Sequence, residues 1–248
     1  MQEADDMPTQ TGGLVGWMDR KFFPGVANFW DDLAFRNYIL SHVKEDHVML
    51  DIGAGAGIVK EMHFRGLVKS VAGLDPDPRV LENPHLDDAK IGYGESIDWP
   101  DETFDIVIAD NVLEHLERPA EVFAEIARVL KPGGRFMFKT PNKWHYMPLI
   151  ATATPHWFHQ FYNKIRGRDS VDTFETHYRA NRPADVVRNA APSGLEPVEF
   201  VLLESRPEYL RVMSVAYLFG ILYQRLVTST DALKNFRVVL IGHLKKSG

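Results

Sequence analysis

Short apolar runs alternate with helical stripes from residue 48 to residue 140. The runs 48–52, 70–74, 90–93, 104–109 and 135–139 read as strands. F-D-I-V-I-A (104–109) is the clearest, β-branched and nearly all apolar. The stretches 58–64, 78–82 and 119–130 read as helices between them. In the last, Pro119 opens the first turn, and Val122, Phe123, Ile126, Val129 and Leu130 share one face. Lys131-Pro132-Gly133-Gly134 is expected to stop it. Such alternation builds βαβ units, hence a parallel sheet with helices on both faces. A stripe of Phe29, Leu33, Arg36, Leu40 and Val43 predicts an earlier helix. Later come a helix at 183–191, a strand at 197–203, an apolar helical stretch at 207–235 and a last strand at 237–244. No linker parts the halves, so both are expected to feed one sheet.

Composition excludes several chemistries. Cysteine is absent from all 248 residues, which removes disulfides, thiolate metal sites, iron–sulfur clusters and cysteine nucleophiles. Lys and Arg number 28 against 34 Asp and Glu, so the chain lacks the basic surface of a nucleic-acid binder. Residues 1–13 are acidic and polar and read as a frayed tail, with no signal peptide. The longest uncharged apolar run, 212–224, has 13 residues, short of the roughly 20 that span a bilayer. A cytoplasmic location is the expectation.

The sharpest motif is Asp51-Ile52-Gly53-Ala54-Gly55-Ala56-Gly57, between an expected strand and an expected helix. Glycines let the backbone turn tightly and approach a ligand, and a helix start beyond them would offer open N–H groups. A structural tight turn is the plain alternative. The dinucleotide fingerprint needs glycine at the position held by Ile58, and Asp51 would repel a pyrophosphate, which argues against a nicotinamide oxidoreductase. Asp51 suits a ligand carrying an amino group instead. Asp75 ends the next strand, where a carboxylate can accept ribose hydroxyls, or simply start an Asp-Pro turn. A ribose with a cationic amino-acid tail describes S-adenosylmethionine (SAM).

Five ordered motifs carry a family resemblance: V-M-L-D-I-G-A-G-A-G (48–57), G-L-D-P-D-P (73–78), G-Y-G-E-S-I-D-W-P-D-E-T-F-D (92–105), N-V-L-E-H-L (111–116) and R-V-L-K-P-G-G (128–134). Together they resemble the class I SAM-dependent methyltransferases of the small-molecule "type 11" family. The resemblance implies an α/β, Rossmann-like, seven-stranded, mostly parallel sheet with helices on both faces and an antiparallel last strand. It implies a SAM-binding core at 46–142, an N-terminal lid or helical extension at 1–45, and an acceptor-side region with helical insertions at 143–248. It carries cofactor contacts onto Asp51, Gly53, Ala54, Gly55, Gly57, Asp75, Pro76, Gly94, Glu95, Asp110 and Asn111. Tyr93 stands where many relatives carry an acid, and either stacks on adenine or fills the sheet.

Methyl transfer to a hydroxyl needs alignment, exclusion of water and a base. His115 and His145 are the candidate bases. Asn111-Val112-Leu113-Glu114-His115 resembles the metal-using loop of ubiquinone-pathway O-methyltransferases, but Asn111 replaces one acid, so no metal is expected. Glu114 and His115 are equally open to a role in buttressing the loop. The region 143–182 is basic and aromatic, with His145, His156, His159, His177, Lys143, Lys164, Arg166, Arg168, Arg179 and Arg182 against Asp169, Asp172 and Glu175. It reads either as a pocket for an anionic or glycosylated acceptor or as a solvated loop. The stretch 17–30 is read as a lid or a covering helix. The run 209–227 is read first as a cap or core element, then as a homodimer face, then as a membrane contact. The expected activity is O-methylation of a small molecule: a sugar, a glycolipid or another natural-product precursor. N- or carboxyl-methylation and a non-catalytic SAM-binding partner protein stay as alternatives.

Overall fold

A computed structural model of the chain describes residues 12–25, 30–148 and 175–248. The chain forms two compact units, which interleave the three expected stretches. One comprises Asp32–Thr140, Thr176–Val201 and Leu240–Gly248; the other comprises Met1–Asp31, Pro141–Glu175 and Leu202–Val239.

The first unit carries the sheet. Its strands are β1 (Val48–Ile52), β2 (Ser70–Asp75), β3 (Asp88–Ile91), β4 (Phe104–Asp110), β5 (Leu130–Pro141), β6 (Leu195–Leu203) and β7 (Val239–Lys246). Their order is β3-β2-β1-β4-β5-β7-β6, parallel from β3 to β5 and antiparallel at the β5-β7-β6 end. This is the seven-stranded α/β sheet expected from the sequence. Central strands are buried on both faces: Met49, Leu50, Ile106, Val107, Phe136 and Phe138 have no accessible surface. Helix α2 (Asp31–Leu40) precedes β1 (α1, Gly13–Phe22, belongs to the second unit), α3 (Pro119–Val129) joins β4 to β5, and α4 (Pro183–Ala190) packs beside α3.

Four local expectations are corrected. No α-helix occupies 58–64; only a 3-10 turn, Lys60–Met62, forms there. Gly57 and Gly66 take left-handed φ of 71° and 82°, and the short span between them starts with β-branched Ile58 and Val59. Lys131 to Gly134 do not delay β5, which begins at Leu130 with a register shift between its pairings to Phe104 and Ile106. Strand β3 lies two residues earlier than expected, and Tyr93 is 68% exposed, so it does not fill the sheet. In α2 the buried residues are Phe35 and Ile39, whereas Leu40 of the expected stripe is 37% exposed. Arg36 instead donates from Nη1 to the carbonyls of Glu61 and His63, at 2.7 and 2.9 Å, and its guanidinium lies over Phe64. Phe29 lies outside the described residues.

The second unit contains α1 (Gly13–Phe22) and α5 (Ser214–Thr228), with 3-10 turns at Glu208–Leu210 and Asp231–Phe236. The helix expected over 207–235 is therefore confined to its middle. Met18 of α1 packs on Tyr217 and Ile221 of α5, with Val15, Phe22 and Phe23 around them. The 17–30 stretch, as far as it is described, covers α5 within this unit.

Truncating a fully buried ring of the central sheet leaves a cavity. Phe138→Ala is expected to cost about 3–5 kcal/mol, read as a lower denaturant midpoint with an unchanged slope.

Candidate active site

The parallel strands deliver the ends of β1, β2 and β4 to one edge of the sheet. There Asp51 lies opposite Gly73 and Ile108, and Ile52 opposite Leu74 and Ala109. The glycine loop leaves this edge. The Gly53 N–H donates to the Leu74 carbonyl at 2.8 Å. Gly53 has φ 83°, and a Cβ there would sit 2.4 Å from Val112 Cγ2, so only glycine fits. Both oxygens of Asp75 hold backbone: Oδ2 accepts from the Gly55 N–H at 2.9 Å and Oδ1 from the Asp77 N–H at 2.8 Å. Pro76 fixes the chain between them.

Sequence reasoning missed Asn83. Its amide Nδ2 donates to the carbonyls of Ala54 and Gly55 at 3.1 and 3.2 Å, and Oδ1 accepts from the His85 N–H at 3.0 Å. A Cβ on Gly57 would lie 2.3 Å from Asn83 Oδ1. His63 Nε2 is 3.0 Å from the Gly57 carbonyl, and its ring stacks on His85. The loop is thus shaped by side chains beneath it. The expected helix start is absent, so its N–H groups gain nothing from a helix dipole.

Two acids are buried at this edge, Asp51 at 7% and Asp75 at 8% exposure. Removal from water, reinforced by the neighbouring Asp75, pushes the Asp51 carboxyl up to about 8. A cation placed beside Asp51 would relieve both penalties. The ammonium and sulfonium of SAM are cations, so the donor set fits this cofactor.

Across the edge, the Gly92 N–H donates to the Asp75 carbonyl at 3.0 Å. A Cβ on Gly94 would lie 3.0 Å from Val122 Cγ1, and Glu95 beside it is half-buried. Beyond β4, Asp110 Oδ1 lies 3.1 Å from Lys139 Nζ, and the same ammonium pairs with Asp32. Lys139 is fully buried and Asp110 nearly so. A lysine inside the apolar run F-M-F-K-T was the visible signal for this pair. Asn111 takes φ 52° and donates its N–H to the Lys139 carbonyl at 2.9 Å; asparagine tolerates that left-handed turn.

Glu114 is 5% exposed, and burial pushes its carboxyl up. Thr140 Oγ1 donates to Glu114 Oε2 at 2.9 Å, and Asn181 Nδ2 donates to Thr140 Oγ1 at 2.6 Å. The Glu114 carbonyl accepts from the N–H groups of His177 and Tyr178. Glu114 therefore ties the post-β4 loop to β5 and to 177–181. The His115 ring is partly exposed, with Nε2 4.0 Å from Glu114 Oε1.

His145 belongs to the second unit. It is 2% exposed, and burial holds its imidazole down to about 3, so it stays neutral. Its Nδ1 accepts from the Met147 N–H at 3.4 Å, which assigns the ring hydrogen to Nε2. Tyr146 and Tyr223 flank the ring. Arg179 donates to the Glu117 carbonyl at 2.7 Å, and Arg182 pairs with Asp185 at 2.6 Å. His156, His159, Lys164, Arg166, Arg168, Asp169 and Asp172 lie outside the described residues. Among the described residues, no three His, Asp or Glu side chains group as metal ligands.

Residues 50–138 match the family described as "Methyltransferase domain". A ubiquinone biosynthesis O-methyltransferase of Thiobacillus denitrificans is 30% identical over 173 residues, 64% of this chain and 68% of that protein. A probable SAM-dependent methyltransferase of Mycolicibacterium smegmatis is 30% identical over 135 residues, 50% of this chain and 51% of that protein. The solved structure of a putative methyltransferase from Bacillus halodurans shares the fold, with TM-score 0.55 and 20% identity over 88% of this chain and all of that one. The Rossmann-like fold and these matches together define a SAM-dependent enzyme. The chain belongs to the class I SAM-dependent methyltransferases of the type 11 family.

The raised Asp51 carboxyl makes two outcomes testable. Folding holds its proton between its unfolded value of about 4 and the folded value of about 8, so stability falls as pH rises through that window. Asp51→Asn is expected to flatten this fall in thermal melts. Cofactor binding at pH 7 is expected to release a proton, and affinity to rise with pH up to about 8. Titration calorimetry in buffers of different ionisation enthalpy measures the release, which Asp51→Asn should abolish.

Proposed function

We propose that this methyltransferase acts on a hydroxyl of a small molecule, a sugar, glycolipid or other natural-product precursor. The observation that carries the reading is the pair of buried acids at neighbouring strand ends, with His115 on the loop after the adjacent strand. A relative from Thiobacillus denitrificans named as an O-methyltransferase supports the hydroxyl.

SAM, when bound, supplies a methyl carbon activated by a sulfonium. In our reading Asp51 meets the ammonium and Asp75 accepts the ribose hydroxyls through lone pairs not used by Gly55 and Asp77. The loop Gly53, Ala54, Gly55 and Gly57 would hold the amino-acid tail, Pro76, Gly94 and Glu95 the adenine, and Asp110 and Asn111 would line the reacting centre. Lys139 and Asp32 fix the direction of Asp110, while Glu114 fixes the loop that carries His115.

His115 would take the proton that the acceptor hydroxyl gives up as its oxygen bonds the methyl carbon and the sulfonium sulfur leaves with the bonding pair. His145, in the second unit, is neutral and carries its hydrogen on Nε2, so that nitrogen is suited to donating a hydrogen bond and not to removing a proton.

The test joins binding to turnover. Asp75→Ala removes hydrogen bonds to a charged acceptor, worth about 1.5–3 kcal/mol each, and should weaken S-adenosylhomocysteine binding by about tenfold or more. His115→Ala should leave that binding unchanged and lower turnover by about a hundredfold in a screen of hydroxylated acceptors that reads labelled methyl transfer. Transfer only to amines or carboxylates would overturn the hydroxyl reading. Full turnover without His115 would overturn its role as base.

A further inference from the structure

Helix α5 carries large apolar side chains on two opposed faces. Tyr217, Ile221 and Val227 are buried, and the first two pack on Met18 of α1. The opposite stripe, Val215, Leu218, Phe219, Leu222 and Leu226, repeats at helical spacing and is 45% to 66% exposed. On α1, Leu14 and Trp17 are also exposed, at 56% and 47%. A surface with this many large bare side chains marks a contact with something else.

The charges on the two helices say what that is. Their exposed charged residues are Arg20, Lys21 and Arg225, all cations. Their single acid, Asp19, is 1% exposed and held by Arg211 at 2.7 Å, Arg206 at 3.3 Å and the Tyr217 hydroxyl. Lys21 Nζ lies 4.7 Å over the Trp17 ring, and the Arg225 guanidinium lies 5.9 Å from the Phe23 ring. Cations set among Trp, Phe and Leu, on a chain with net charge −6, are the pattern of a surface that meets lipid headgroups.

Size also discriminates. Among the described residues no helix is long and apolar enough to cross a membrane. A 15-residue helix is about 22 Å long and about 10 Å wide. Such a helix is suited to lying in the plane of a bilayer surface with its exposed stripe against the lipid.

We propose that the α1–α5 face docks on an anionic lipid surface, with the α5 stripe inserted among the acyl chains and Arg20, Lys21 and Arg225 among the headgroups. The proposal is independent of the acceptor and base assignments above. Full-length protein is mixed with vesicles of phosphatidylcholine alone or with added phosphatidylglycerol, and bound protein is measured by co-sedimentation. Partitioning should be about tenfold or more greater on the anionic vesicles and should fall as salt rises. Phe219→Glu with Leu222→Glu should abolish partitioning while S-adenosylhomocysteine binding persists. Arg20→Gln with Lys21→Gln should reduce the anionic preference alone. Failure to sediment with anionic vesicles, or unchanged sedimentation of the double-glutamate variant, overturns the proposal. A dimer in sedimentation equilibrium that the same glutamates dissociate, without lipid binding, assigns the face to a second copy and also overturns it.

Discussion

Strand β1 pairs in parallel with β2 on one side and β4 on the other, and this pairing determines where the candidate chemistry lies. Parallel neighbours bring their carboxyl ends to the same edge. Asp51, Asp75 and Asp110 therefore come to one rim although they are far apart in sequence. A slip of one residue in β1 would turn Asp51 to the opposite face and break its placement beside Gly73. Met49 and Leu50, fully buried on opposite faces of β1, resist that slip, because each would have to repack against the other layer. Core packing and site geometry are the same constraint here.

The acids on that rim are treated differently. Asp110 has its charge answered inside the fold by Lys139, which Asp32 also engages. Asp51 is left with burial and the repulsion of Asp75, and its carboxyl rises to about 8. An acid held near neutrality costs the ligand-free fold little charge desolvation, and a cationic ligand draws it back to the ionised form. The uncompensated acid is thus the one poised to respond to cofactor, and the compensated one is fixed in place.

Elements with a strong local pattern were legible in the sequence. The runs around Phe104–Asp110 and Pro119–Val129 carry their own periodicity, and the five motifs around them led to the family. The Ile58–Phe64 helix was misread because its apolar spacing says nothing of left-handed glycines at 57 and 66. The buried face of α2 was misread because Phe35 and Ile39 are chosen by what they pack against, whereas Arg36 is drawn away to the carbonyls of Glu61 and His63. Asn83 reads locally as an Asn-Pro turn, and its contact with the glycine loop exists only once β1 and β2 are paired. Lys139 was visible as a charge in an apolar strand, but its partner Asp32 lies 107 residues away.

The same separation of local from long-range information explains the second unit. The 209–227 run was legible as apolar but not as two opposed stripes, because which stripe is covered depends on α1. Once α1 takes Tyr217 and Ile221, the helix is anchored through one face, and Asp19 becomes the shared counter-charge of Arg206 and Arg211. Burying that acid removes the one negative charge from the pair of helices. The ion pairs of Asp19 with Arg206 and Arg211, together with its hydrogen bond from Tyr217 of α5, thereby leave only cations among the exposed charges of α1 and α5, so a stability feature of the fold also sets the electrostatics of the exposed apolar face.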